Sequence, residues 1–313
     1  MGILYHHILL VFSFFIPWLY IQSGLEIKEK LLIVGCGKLG FKIGNSLSKK
    51  FEITGIKRKK SNDEVRFQVL ELNIFSNEFT QKIKSINPDY IIYSVAADNQ
   101  TEESYQDAYV SGLRLSIDAA FFCSNIKHFF FISSTRVYGQ KSEDFLSEFT
   151  EPLPNDFGGR ALLEGENLLK NKSLPSTILR LSGIYGGERV YMLGLAKRPE
   201  DWPDSNRWTN RIHEDDIVHF ISFLLDKIKE MPLEPLYLLT DNLPVPIYDV
   251  LNLIRVELNL PANKQIGNVK LLGKKLKSKI IPALNFDFEY PDYRNGYTSI
   301  VQNILSSSSE MLD

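Results

Sequence analysis

Leu31-Leu32-Ile33-Val34-Gly35-Cys36-Gly37-Lys38-Leu39-Gly40 decides how this chain is read. Four apolar residues give the pattern of a short buried strand. Three glycines follow at G-x-G-x-x-G spacing, and apolar residues then recur at Leu39, Ile43 and Leu47, the period of a helix face. The spacing has a geometric meaning. Gly35 permits a tight turn, Gly37 lets the backbone approach a diphosphate, and Gly40 lets the helix pack closely on the strand. The helix start, at Lys38 and Leu39, then offers free N–H groups and a positive dipole end to phosphate oxygens. Strand, turn and helix together predict a dinucleotide-binding loop.

Working outward, short apolar runs at 51–56, 66–72, 90–95, 128–133, 177–181 and 237–240 alternate with helical patterns at 105–123, 161–169 and 215–228. Such alternation predicts βαβ units and an α/β fold, a Rossmann-type doubly wound parallel sheet. The expected division is 25–185 as the NAD(P)-binding domain and 186–313 as a smaller C-terminal substrate lobe interleaved with the main sheet. At the end of the second strand an acidic residue would bond the adenosine ribose hydroxyls of NAD. This chain has Lys57, Arg58, Lys59 and Lys60 there. Lys57 and Arg58 suit a 2′-phosphate, so NADP is the expected cofactor and NAD the alternative.

Composition sets the outer limits. Of 313 residues, 44% are hydrophobic and 24% charged, and the formal charge of −2 gives no electrostatic case for nucleic acid. The five histidines and two cysteines show no pair at metal-ligand spacing, so no metal is expected. Cys36 lies inside the glycine loop, where a bridge to Cys123 would obstruct the turn, and reduced thiols in the cytoplasm are the reading that follows. Residues 1–21 carry no formally charged side chain, and 8–21 are apolar except for Ser13 and Pro17. The segment lacks the charged start and the cleavage site of a signal peptide, and is borderline for a membrane helix of ~20 apolar residues. Residues 1–24 are therefore read as a mis-assigned start, with a membrane anchor as the alternative. A spanning segment followed by Lys28 and Lys30 would still leave the domain cytoplasmic.

Further along, Ser133-Ser134-Thr135-Arg136-Val137-Tyr138-Gly139 resembles the S-S-x-x-V-Y-G segment of the extended short-chain dehydrogenases/reductases, the NAD(P)-dependent epimerase/dehydratase family. Tyr93-Ser94-Val95-Ala96-Ala97 is similar to the family's H-L-A-A. The octapeptide LRLSGIYG from Leu179 is similar to L-R-x-x-x-x-Y-G, and IHEDDI from Ile212 to I-H-V-D-D. The Phe288-Glu289-Tyr290-Pro291 run resembles the family's closing segment. The resemblance spans 30–300 and implies a nicotinamide cofactor and a small-molecule substrate such as a nucleotide sugar. It also implies Val95, Ala96 and Ser133 beside the cofactor, Thr135 beside the substrate, and Ser134 as the hydroxyl that orients the substrate oxygen. A homodimer through the helices at 105–123 and 161–169 is the family's common assembly.

The resemblance breaks where the family has Tyr-x-x-x-Lys, the phenol that moves the proton and the cation that lowers its pKa from ~10. Gly158 and Leu162 stand at those positions, Phe157 has no hydroxyl, and no lysine occurs between Lys141 and Lys170. Tyr138 and Tyr185, on loops at strand C-terminal ends, are the candidate replacements, with Arg160 as the cation; loop packing is the competing reading of both tyrosines. His213 is a candidate for lining the substrate cleft. The acids after it (Glu214, Asp215, Asp216) are read as favourable charges at a helix N-terminus. Two functions follow: an oxidoreductase or epimerase with a non-standard proton donor, or a non-catalytic NADP(H)-binding sensor or regulatory module.

Overall fold

The computed structural model describes residues 28–59, 65–140, 143–263 and 271–310, with side chains as far as Ser306. The apolar leader, its membrane alternative and Lys60 lie outside the described residues. In chain order the elements begin β1 (Lys30–Val34), α1 (Lys38–Leu47), β2 (Glu52–Lys57), β3 (Gln68–Glu71), α2 (Phe79–Ile86) and β4 (Tyr90–Tyr93). After α3 (Glu102–Gln106) and a π-helical turn (Asp107–Ser111) come α4 (Gly112–Ala120), β5 (His128–Ser134), β6 (Phe145–Leu146), α5 (Phe157–Lys170) and β7 (Ser176–Leu181). The C-terminal part holds β8 (Gly183–Tyr185), α6 (Tyr191–Lys197), β9 (Arg207–Thr209), β10 (Arg211–His213), α7 (Glu214–Lys227) and β11 (Leu236–Leu239). It closes with β12 (Val245–Pro246), α8 (Ile247–Glu257), β13 (Leu272–Gly273), β14 (Lys275–Leu276) and α9 (Tyr293–Glu310).

Seven strands form one sheet in the order β3-β2-β1-β4-β5-β7-β11, every pair parallel. Strands buried on both faces need apolar residues at both alternating positions, which explains their unbroken hydrophobic runs. Leu32, Val34, Ile91, Phe129 and Phe131 face one way, onto Ile83 of α2, Leu113 and Ile117 of α4 and Leu162 of α5. Leu31, Ile33, Tyr90, Ile92 and Phe130 face the other, onto Leu39 and Ile43 of α1 and Ile217 and Phe220 of α7. The chain winds outward from β1 to β3, then returns to β4 on the opposite side. That reversal leaves a crevice at the C-terminal ends of β1 and β4, where open α/β sheets take their ligands.

A smaller lobe surrounds a third cluster made by Leu193, Ala196, Val250, Ile254, Tyr297 and Val301. Its strands pair as β8 with β10 and as β12-β9-β13. Between these pieces the chain returns to the main sheet to add β11 at its edge.

Two elements depart from expectation. The helix expected over 105–123 is broken into α3, the π turn and α4. The helix expected from 161 begins four residues earlier, because Asp156 caps it by accepting the Gly159 N–H at 2.7 Å. Cys36 and Cys123 are both buried, and no disulfide joins them. Among the described residues no helix is long and apolar enough to cross a membrane, and no cluster of His, Cys, Asp and Glu suits a metal ion.

Candidate active site

At the turn after β1, Gly35 has φ +88°, and a Cβ there would lie 2.5 Å from the Val95 backbone nitrogen. Only glycine fits. The turn is fixed from below by the Gly35 and Cys36 N–H groups, which both donate to the Ile56 carbonyl, at 3.1 and 2.9 Å. A Cβ on Gly37, by contrast, would meet nothing within 4 Å. One on Gly40 would press on the Gly35 carbonyl at 3.1 Å and on Ile33 at 3.2 Å. Turn, open approach and helix packing are thus divided among the three glycines.

Gly37 opens onto two adjoining cavities. The larger, about 460 Å³, is lined by Gly37, Lys38, Leu39 and Gly40, by Val95 and Ala96 after β4, by Ser133 and Ser134 ending β5, and by Tyr109, Leu162 and Arg189. The smaller, about 220 Å³, is lined by Gly35 and Gly37, by Ile56, Lys57 and Arg58 ending β2, and by Leu72, Ile74, Val95 and Ala96. All ten residues expected at the cofactor line one or both cavities. The bare backbone of Gly37 lies on the wall shared by the two cavities.

In the larger cavity Ser134 caps a short turn, its Oγ accepting the Arg136 N–H at 3.2 Å. Ser133 faces the core, donating to Glu166 Oε1 at 2.7 Å. Glu166 in turn holds Arg180 through Nε at 2.9 Å and a second guanidinium nitrogen at 2.6 Å, an ion pair sealed from solvent.

Several expected site residues lie elsewhere. Tyr138 is only 1% exposed; its hydroxyl donates to the Ser147 carbonyl at 2.7 Å and accepts from Arg180 at 2.6 Å. Burial outweighs the Arg180 charge and raises its pKa, so this phenol is a core bridge rather than a proton carrier in the cleft. Tyr185 is buried in an aromatic stack, with Tyr297 on one side (4.7 Å) and His213 on the other (5.0 Å). Its pKa is pushed up, mainly by burial. His213 caps α7, its Nδ1 accepting the Asp215 N–H at 3.2 Å, and desolvation lowers its pKa. Neither lines the cleft, because the β8–β10 pairing turns both rings into the smaller lobe. Thr135 is buried, with its carbonyl accepting from Lys274 at 2.6 Å, and Arg160 is exposed on α5; neither is among the residues lining the two cavities at Gly37.

The missing phenol and ammonium have a structural counterpart. A Cβ at Gly158 would fall 2.5 Å from the Arg136 Cζ. That guanidinium fills the space, donating to Asp156 at 3.0 and 3.1 Å and to the Tyr105 hydroxyl at 2.6 Å, and lying over the rings of Tyr105 and Phe157. Leu162 faces the cavity as an apolar wall.

Tyr109 was not legible as a site residue. It stands in the π turn, which shifts the helix register by one residue and brings its ring to the cavity. Burial raises its pKa over the opposing effects of the Ala97 backbone N–H and Arg136. Arg189, also unforeseen, lies just beyond Gly187 and pairs with Glu214, which also binds Lys42 at 2.6 Å.

Comparison with known proteins agrees with this geometry. A family model described as the RmlD substrate binding domain matches residues 29–201. A protein from Methylobacillus flagellatus, provisionally assigned as an NAD-dependent epimerase/dehydratase, is 35% identical, covering 90% of this chain and 100% of its own, with TM-score 0.81. UDP-glucuronic acid 4-epimerase from Bacillus cereus, solved with NAD, shares the fold at 19% identity over 88% of this chain and 99% of its own, TM-score 0.71. The ADP-L-glycero-D-manno-heptose-6-epimerase of Helicobacter pylori does so at 15% over 90% and 97%, TM-score 0.69. Comparison with curated protein sequences gives no match. The chain belongs to the RmlD substrate-binding-domain family, within the extended short-chain dehydrogenases/reductases of NAD-dependent epimerase/dehydratase type.

Proposed function

We propose that this protein binds a nicotinamide dinucleotide across the two cavities and acts on a nucleotide sugar or related sugar-like substrate. The observation that carries the proposal is the open face of Gly37, with no atom within 4 Å of a Cβ there, at the junction of the two cavities. The glycine turn and the start of α1 would hold the diphosphate, and Val95, Ala96 and the end of β5 the nicotinamide half. The smaller cavity would hold the adenosine, where Arg58 is the group able to meet a 2′-phosphate. Lys57 sends its ammonium over the Phe41 ring, 4.5 Å from the centroid. When bound, the cofactor supplies a hydride donor or acceptor.

The chain's own residues then supply oxygen binding. Ser134 and Tyr109 are the two hydroxyls this reading places on the substrate oxygen. Ser134 accepts the Arg136 N–H and keeps its own hydrogen for the substrate. Tyr109, its pKa raised by burial, stays protonated at neutral pH and is suited to donating a hydrogen bond to that oxygen. Leu162 keeps that corner apolar and excludes water. The test is incubation of cofactor-loaded protein with UDP- and ADP-linked sugars, following absorbance of the reduced nicotinamide and chromatography of the sugars. Turnover that Ser134→Ala reduces at least ~10-fold, with cofactor affinity unchanged, supports the reading.

Binding without any turnover favours a second reading, a non-catalytic dinucleotide-binding module. The specific observation behind it is the Arg136 guanidinium filling the space beside Gly158.

A further inference from the structure

An enzyme that uses NAD commonly places a carboxylate at the end of β2, where it accepts hydrogen bonds from the adenosine ribose. Here β2 ends at Lys57, with Arg58 next. The structure brings a carboxylate to the same place from another strand. Asp98, in the loop after β4, meets Arg58 through a two-pronged pair: one guanidinium nitrogen donates to Oδ2 at 2.7 Å, the other to Oδ1. Arg58 walls both the adenosine cavity and an adjoining pocket of about 80 Å³ that Asp98 also lines.

The carboxylate is held in place by its own loop. The N–H groups of Asp98 and Asn99 donate to Ser104 Oγ at 3.0 and 3.2 Å, and Thr101 caps α3 by accepting the Ser104 N–H at 3.3 Å. Both side chains of the pair remain about half exposed, 56% and 52%, so an incoming ligand can reach either. The pair is charged at neutral pH: the hydrogen bonds to Arg58 lower the Asp98 pKa, and those to Asp98 raise that of Arg58.

We infer that Asp98 sets the choice between NAD and NADP, standing in for the acid that β2 lacks. The inference rests on the cofactor reading above. A 2′-phosphate carries a charge of about −1.5 to −2 at neutral pH and prefers the same planar fork of an arginine that Asp98 already fills. To bind, it must displace the carboxylate and then remain beside it as a like charge. A ribose 2′-hydroxyl has no such conflict, because it donates to the carboxylate while Arg58 stays paired. Lys59, whose charge also reaches Asp98, adds attraction for a 2′-phosphate and so works against the carboxylate.

The experiment is a fluorescence titration of the full chain with NADH and with NADPH, for the unmodified protein, Asp98→Asn, Asp98→Glu and Arg58→Gln, with circular dichroism to compare folding. The unmodified protein is expected to bind NADH at least as well as NADPH. Asp98→Asn should shift the ratio of the two dissociation constants toward NADPH by ~10-fold or more, with a gain that grows as salt is lowered. Asp98→Glu should keep the original order, and Arg58→Gln should weaken NADPH alone. A ratio unchanged within about twofold in Asp98→Asn, with both forms still bound, overturns the inference and leaves the cofactor reading standing. Binding of neither form by the unmodified protein overturns both.

Discussion

The Arg136 guanidinium lies where a side chain at position 158 would have to go, and its partners fix it there: Asp156, Tyr105 and Gln100. Reintroducing a phenol and an ammonium as Gly158→Tyr with Leu162→Lys is therefore expected to destabilise the fold by about 1–3 kcal/mol through overpacking, and not to create activity. Urea unfolding and the turnover assay check the two halves of that statement. Tyr138 is the complementary case. Tyr138→Phe removes the hydroxyl between Arg180 and the Ser147 carbonyl, leaving a buried donor and acceptor unpaired. The expected loss is about 1–3 kcal/mol in unfolding free energy, with NADH affinity unchanged. A loss of cofactor affinity at constant stability would return Tyr138 to the cleft. The sequence showed that Gly158 and Leu162 cannot move a proton, which is chemistry written in residue type. It did not show that Arg136 replaces them in space, because that contact joins residues on two different elements.

Elements were legible where their periodicity was undisturbed. The glycine turn, β1 and α1 follow from ten residues, since strand, turn and helix there each depend on local sequence. Tyr109 escaped because the π turn at Asp107–Ser111 breaks the 3.6-residue period and moves a ring that a regular helix would have placed elsewhere. Tyr185 looked like a cleft residue because it ends a strand, and His213 because its segment resembles the family's; the strands they end, β8 and β10, pair with each other outside the main sheet. The tyrosine and histidine rings pack beside Tyr297 and Tyr290, and Asp241 is buried in the same lobe with Oδ2 unpartnered among the described residues. Burial pushes the Asp241 pKa up to about 8. An acid with a folded pKa above its unfolded value of ~3.9 stabilises the fold at low pH, and that contribution is lost as pH rises toward 8. His213, with its lowered pKa, works in the opposite sense as it deprotonates. The informative comparison is therefore between proteins: the stability of Asp241→Asn relative to the unmodified chain should rise from pH 5 to pH 8, as measured by urea unfolding at both. A constant difference would mean that Asp241 does not titrate in that range.

At the scale of the whole molecule, the sheet order puts the glycine turn, the β4 loop and the end of β5 side by side at one crevice. A doubly wound parallel sheet was expected from alternating strands and helices, which leave few right-handed parallel windings open; the strand order comes from the structure. The partnership of Arg58 with Asp98 was not expected, since forty residues separate them and only the β1–β4 reversal makes them neighbours. Everything proposed for the protein's chemistry presumes a dinucleotide lying across Gly37. Gly37→Glu tests this directly, because a Cβ there meets nothing within 4 Å and the side chain puts a carboxylate where the diphosphate would lie. The measurement is a titration of the full chain and of Gly37→Glu with NADH and NADPH, alongside thermal unfolding of both proteins. The expected result is micromolar binding by the unmodified chain, weakened at least ~100-fold in Gly37→Glu at unchanged unfolding temperature. Saturable binding that Gly37→Glu leaves intact, or no binding of any nicotinamide dinucleotide by the unmodified chain, would contradict it.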